Sequence, residues 1–238
     1  MFKKLFYAFF LIAFTAVISP AQNFTLGVKG GASMIRMDFE KPVYIFPYYH
    51  SESPSTAEYK TAYGYTFGLT GTYRISELIS IEADILYELK GTKYGIEQES
   101  FPGYMPAKFT YTYNLNYAAV PLLAKIYLPL DSDFKPHAVL GASFDFLLNS
   151  NMSYTVERDP RVMVPGVVMP SDFDLNSKTN SFDLGLVGGV GADYSFASGI
   201  LSLEALYELG TANLDKGMGF GPVNNRTFSV LLGYSFRL

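Results

Sequence analysis

Eight stretches of this chain alternate apolar and polar residues with a period of two, the spacing of a β-strand with two different faces. In 62–74, Tyr63, Tyr65, Phe67, Leu69 and Tyr73 alternate with Gly64, Thr66, Gly68, Thr70, Thr72 and Arg74. In 79–90, Ile79, Ile81, Ala83, Ile85, Tyr87 and Leu89 oppose Ser80, Glu82, Asp84, Leu86, Glu88 and Lys90. The same rhythm runs through 24–34, 112–128, 136–148, 180–196, 200–211 and 226–238. The fourth segment changes phase: Tyr111, Tyr113, Leu115 and Tyr117 share one parity, and Ala118, Val120, Leu122, Ala124 and Ile126 the other. A β-bulge near Tyr117–Ala118 would keep one apolar face continuous and turn Lys125 inward, and Pro121 suits such an irregularity.

The connections alternate in length. Long ones fall at 37–61, 91–111, 149–179 and 212–225, short ones at 75–78, 129–135 and 197–199. That rhythm is the layout of an eight-stranded antiparallel up-and-down transmembrane β-barrel, an all-β fold with long extracellular loops and short periplasmic turns. A water-soluble barrel would turn the apolar faces inward. Here the polar faces are mostly Gly, Ser and Thr with a few charges, which suits a narrow lumen, and the large aromatics suit lipid. Tyr63, Tyr73, Tyr87, Tyr111, Tyr113, Tyr194, Tyr207 and Tyr234 lie near segment ends and are expected in interfacial girdles.

The first 21 residues read as a cleaved signal peptide: Lys3 and Lys4, then an apolar run over 5–18, then Ser19-Pro20-Ala21. Residues 22–238 form the barrel domain, exported to the outer membrane of a Gram-negative bacterium. The apolar run is shorter than the ~20 residues a spanning helix needs. A net charge of −4 and only 17% charged residues argue against a nucleic-acid partner. Cysteine is absent, which excludes disulfides and thiolate chemistry.

Several stretches carry a family likeness. Phe24-Thr-Leu-Gly-Val-Lys-Gly-Gly31, Leu115-Asn-Tyr-Ala-Ala-Val-Pro-Leu-Leu-Ala-Lys125, Leu203-Glu-Ala-Leu-Tyr207 and the closing Gly233-Tyr-Ser-Phe-Arg-Leu238 resemble the small outer-membrane barrels of Bacteroidota-type bacteria, called PorT-like. More distantly the chain is similar to the OmpA and OmpX barrels. The resemblance implies the barrel and its compartment. Within the chain, Ile81-Glu-Ala-Asp-Ile-Leu-Tyr-Glu-Leu89 echoes Leu203-Glu-Ala-Leu-Tyr-Glu-Leu209, which a four-strand duplication or shared physical demands would explain equally.

Phosphate loops, dinucleotide fingerprints and metal motifs are missing, so no cofactor is expected. His50 with Ser51 and Glu52 gives little support to a lipid-modifying enzyme, and the chain reads as noncatalytic. The inward charges read as a salt-bridged filling of the lumen, because buried charges must pair. Arg74, Lys125, Arg237 and His137 are expected to face Glu82, Asp193 and Glu204 near the periplasmic end. Glu88, Asp145, Asp183 and Glu208 lie toward the other end with Lys90. Function is expected on the long loops. Tyr44, Phe46, Tyr48 and Tyr49 in the first, and Val162, Met163, Val164, Val167, Val168 and Met169 in the third, are candidate contacts for a protein partner. The expectation is a monomer in the lipid bilayer that binds or anchors a partner, for adhesion or as an accessory to a secretion system. A narrow solute or ion pore is the alternative.

Overall fold

The computed structural model describes residues 23–39, 57–98, 107–158, 172–217 and 222–237. Its strands are β1 (Phe24–Phe39), β2 (Ala57–Lys60), β3 (Ala62–Arg74), β4 (Ile79–Gln98) and β5 (Ala107–Tyr127), followed by β6 (Phe134–Arg158), β7 (Asp172–Asp174), β8 (Phe182–Ser195), β9 (Ile200–Gly210) and β10 (Val223–Arg237). Every pairing is antiparallel, in the circular order β4-β3-β1-β10-β9-β8-β6-β5 and back to β4. Eight strands thus close the barrel, as the alternation requires. β2 continues the β3 wall along β4, and β7 adds a short strand to β6.

The tight turns are made by small polar residues that feed the freed backbone groups. Ser76 Oγ accepts from the amides of Leu78 and Ile79 at 3.3 and 3.2 Å, and Ser132 Oγ from Phe134 at 3.2 Å. At the third turn the Phe196 amide donates to the Gly199 carbonyl at 2.8 Å.

The strands run further outward than the expected loops allowed. β4, β5 and β6 have 20, 21 and 25 residues, and take up parts of 91–111 and 149–179. The reason is an inversion of polarity along the wall. Along β5 and at Leu128 just past its end, the outward side chains Leu128, Ile126, Ala124, Leu122, Val120 and Ala118 are apolar, but beyond them come Asn116, Asn114, Thr112 and Thr110. Inward, Tyr111, Tyr113, Leu115 and Tyr117 are buried in an apolar cluster with Met37, Met152, Leu175, Leu214 and Val223. The apolar belt from Leu128 to Ala118 spans ~25 Å at the tilt of a narrow barrel, the height of a hydrocarbon core. Above it the barrel is built like a soluble one, polar outside and apolar within.

This overturns two expectations. An irregularity does lie near Tyr117 and Lys125 does face inward, but β5 itself carries no extra residue there: its odd positions from Tyr111 to Tyr127 all face inward. The register shift lies in the β5–β6 pairing, where Asn116 meets Asn149 and Tyr117 meets Leu147, so Leu148 of β6 is the extra residue. Tyr111 and Tyr113 are interior residues of the outer section, at 3% and 4% exposure, and not girdle residues.

Candidate functional site

The lumen is filled in layers, and the echoed motif builds them. Glu82, Leu86 and Glu88 on β4 face Glu204, Leu206 and Glu208 on β9, four walls away around the ring. The lower layer holds Glu82 and Glu204 with two lysines between them. Lys125 Nζ lies 2.5 Å from Glu82 Oε2 and 2.6 Å from Glu204 Oε1. Lys29 Nζ pairs with Glu82 and reaches Asp84 Oδ2 and Glu204 Oε2, each at 3.0 Å. Thr72 Oγ1 donates to Glu82 Oε2 at 3.0 Å. Below them His137 places Nε2 3.5 Å from Glu204 Oε1 and Nδ1 3.9 Å from Asp193 Oδ1. The Tyr127 hydroxyl donates to Asp193 Oδ2 at 2.8 Å.

The upper layer centres on Lys90. Its Nζ lies 2.9 Å from Glu88 Oε2 and 2.7 Å from both Asp145 Oδ2 and Glu208 Oε1. The three carboxylates present oxygens within 4.8 Å of one another, and the Lys90 ammonium supplies the cation they share. The Tyr117 ring caps Lys90 at 5.5 Å. Asp183 is held by neutral donors, the Ala212 amide at 3.0 Å and the Asn225 amide group at 3.3 Å.

Between the two charged layers sits an apolar one of Leu123, Val139, Val187, Leu206 and Leu231, with Leu86 beside it. The Tyr111–Tyr117 cluster covers the upper layer from outside. Glycines on β8 make room for the long acids: a Cβ at Gly185 would lie 2.6 Å from Glu208 Oε1, and one at Gly191 2.6 Å from His137 Nε2.

The structure brings together five of the seven residues expected in the lower network, Glu82, Lys125, His137, Asp193 and Glu204. Arg74 and Arg237 stand apart. Arg74 is half-exposed at the rim, 5.8 Å over the Tyr127 ring, and Arg237 is exposed beyond Ser235, the last buried residue of β10. Both have inward parity, but their strands leave the lumen at that height. Lys29, Asp84 and Tyr127 take part instead. Their parity was legible, their partners were not. Of the loop candidates, Tyr44, Phe46, Tyr48, Tyr49, Val162, Met163, Val164, Val167, Val168 and Met169 lie outside the described residues, as does His50. The described part of the third long loop turns into the mouth, where Leu175 is buried and the Asn176 side chain accepts from the Ser150 amide at 2.7 Å.

Residues 20–216 match a family model described as an outer membrane protein beta-barrel domain. Similar solved structures include OprG from Pseudomonas aeruginosa, 14% identical over 91% of this chain and 97% of that one, with a TM-score of 0.40. Neisserial surface protein A is 15% identical over 90% of this chain and 97% of its own, with a TM-score of 0.43. Escherichia coli outer membrane protein W is 14% identical over 92% of this chain and 100% of its own, with a TM-score of 0.36. No curated protein sequence matches the chain significantly.

Proposed function

The chain belongs to the outer membrane protein β-barrel domain family, and from that premise we propose that it is a noncatalytic barrel whose extracellular segments bind or anchor a protein partner, in adhesion or as an accessory of an export system. It resides in the outer membrane of a Gram-negative bacterium. The observation that carries the proposal is the filled lumen. Two lysine-centred layers and two apolar ones occupy the path a solute would take. A barrel whose interior is spent on cohesion acts through its outside. The tall wall β4–β5–β6 supports the same reading, since it carries the chain ~25 Å above the lipid belt on β5 alone. The finer assignment, a PorT-like protein of Bacteroidota type with its leader cleaved after Ala21, is part of the proposal. So are the partner contacts at Tyr44–Tyr49 and Val162–Met169.

The test is co-purification from native outer membranes with the wild-type chain and with variants lacking 43–50 or 161–170. A protein recovered with wild type and lost from either deletion supports the proposal, provided the variants keep the heat-modifiable gel mobility of a closed barrel. The wild type is also placed in a planar bilayer, where no steady current is expected. Stable channels, or a partner indifferent to both deletions, would overturn the reading.

A further inference from the structure

The lipid belt ends at one place on a pair of arginines. On β1 the outward series Leu26, Val28, Ala32 and Met34 gives way to Arg36. On β10 the series Phe236, Leu232, Val230 and Phe228 gives way to Arg226. These are neighbouring strands, and their register sets Arg36 directly opposite Arg226. Side chains so placed leave from Cβ atoms ~4.5–5.5 Å apart, where like charges repel. The inward positions on either side, Ile35, Met37, Asn225 and Thr227, are all buried, so both guanidiniums belong to the outer surface.

Their height is informative. The row immediately below runs Tyr63–Met34–Phe228–Tyr207 across four strands, and all four side chains are exposed. Two tyrosines thus flank an apolar pair at the top of the belt, as residues do where acyl chains meet headgroups. Two steps further out the register sets Asp38 opposite Asn224. Each arginine already has an interaction within the protein. With five N–H donors in a planar fork, each can serve a second acceptor as well.

We propose that Arg36 and Arg226 form a clamp for a phosphate group on a glycolipid of the outer leaflet. A phosphate between two guanidiniums turns their mutual repulsion into two charge-assisted, bidentate pairings. A phosphate tethered to a lipid is delivered at this height, with its acyl chains against Met34 and Phe228 and its sugars level with Tyr63 and Tyr207. A free anion would gain nothing from those four residues.

The probe is bisphosphorylated lipid A, added to the purified full chain in a nonionic detergent and followed by native mass spectrometry. Three further arms use the same lipid stripped of phosphate, inorganic phosphate as competitor, and an Arg36→Gln/Arg226→Gln variant. An Arg74→Gln/Arg237→Gln variant makes the same charge change at the other rim. Wild type and the rim control are expected to retain the phosphorylated lipid, and the clamp variant to lose about tenfold or more in retention. Heat-modifiable mobility confirms that each variant is folded. Equal retention by wild type and clamp variant, or equal binding of the phosphate-free lipid, would overturn the proposal. Displacement by an equimolar amount of inorganic phosphate would overturn the lipid as the source of the anion. An equal loss in the rim control would reduce the effect to net charge and overturn the clamp.

Discussion

Replacing Lys90 with Met removes the one cation of the upper layer and keeps most of its volume. At 2.7–2.9 Å, each of its three carboxylate contacts is worth about 6 kcal/mol of attraction at an effective dielectric near 20. The acids repel one another by at least about 3–4 kcal/mol per pair, the value at 4.8 Å, the upper bound on their separation. The lysine offsets the repulsion it collects, and without it the repulsion stands alone. Proton or water uptake relieves part of that, so the measured loss should be ~3–5 kcal/mol, the usual cost of breaking a buried ion pair from one side. The assay is reversible urea unfolding in lipid vesicles, followed by tyrosine fluorescence and gel mobility. The cluster also makes a sharper demand. With the ammonium gone, Glu88, Asp145 and Glu208 offer three hard oxygen ligands, so millimolar Ca²⁺ should restore stability to Lys90→Met while leaving wild type unchanged. A Lys90→Met barrel with wild-type stability would refute the paired layer. Calcium acting equally on both proteins would refute its geometry.

Other consequences are read with simpler measurements. Leu203→Arg, exposed opposite Leu232 in mid-belt, should cost ~2–4 kcal/mol in vesicles, whereas Asn114→Arg, outward but above the belt, should cost under ~1 kcal/mol. Because the chain has no cysteine, single cysteines can map the boundary: Asn114→Cys should react with a membrane-impermeant maleimide in intact cells, while Ala118→Cys and Tyr113→Cys should stay unlabelled. Labelling of Ala118→Cys as fast as Asn114→Cys would place the bilayer wrongly. Gly191→Leu should drive a side chain into His137 and Glu204 and lower the unfolding midpoint by more than Gly188→Leu, where an added Cβ comes no closer than 3.7 Å to Leu140.

The barrel walls and short turns were legible because lipid and lumen impose opposite demands on alternate residues. The end of the belt was harder to read. Above the membrane nothing requires an apolar outer face, so Asn149-Ser-Asn-Met-Ser153 has a loop's composition although it continues β6. The same inversion made the parity of β5 look like a bulge, since Tyr111, Tyr113 and Leu115 are apolar for the inside just where Ala118 and Leu122 are apolar for the outside. Alternation tells which residues share a face, but not which medium lies on it. Depth was illegible for a related reason. Arg74, Arg237 and Lys29 all have inward parity, and only the stagger between strands decides that Lys29 meets Glu82 and Glu204 while both arginines end at the rim.

The echoed motif carries a physical consequence of its own, whatever its origin. On β4 the inward residues Asp84, Leu86 and Glu88, and on β9 Glu204, Leu206 and Glu208, repeat acid, leucine, acid. Carried on walls four strands apart, the repeat sets acid toward acid at two heights, with Leu86 and Leu206 lining one small cavity between them. Acids facing one another would push the walls apart, so each acid height needs a lysine: Lys29 of β1 and Lys125 of β5 below, and Lys90 of β4 itself above. A soluble domain excludes water from one apolar core. A barrel in lipid gains little from apolar contact on its outer face, and cohesion must come from side chains that meet across the lumen. Crosswise lysine bridges supply it, and the leucine level between them surrounds a cavity of about 20 Å³ that reaches Asp84 below and Glu88 and Glu208 above. Opening such a barrel to ions would mean breaking both bridges and the apolar level together, which is why a filled lumen of this kind argues for work done at the surface.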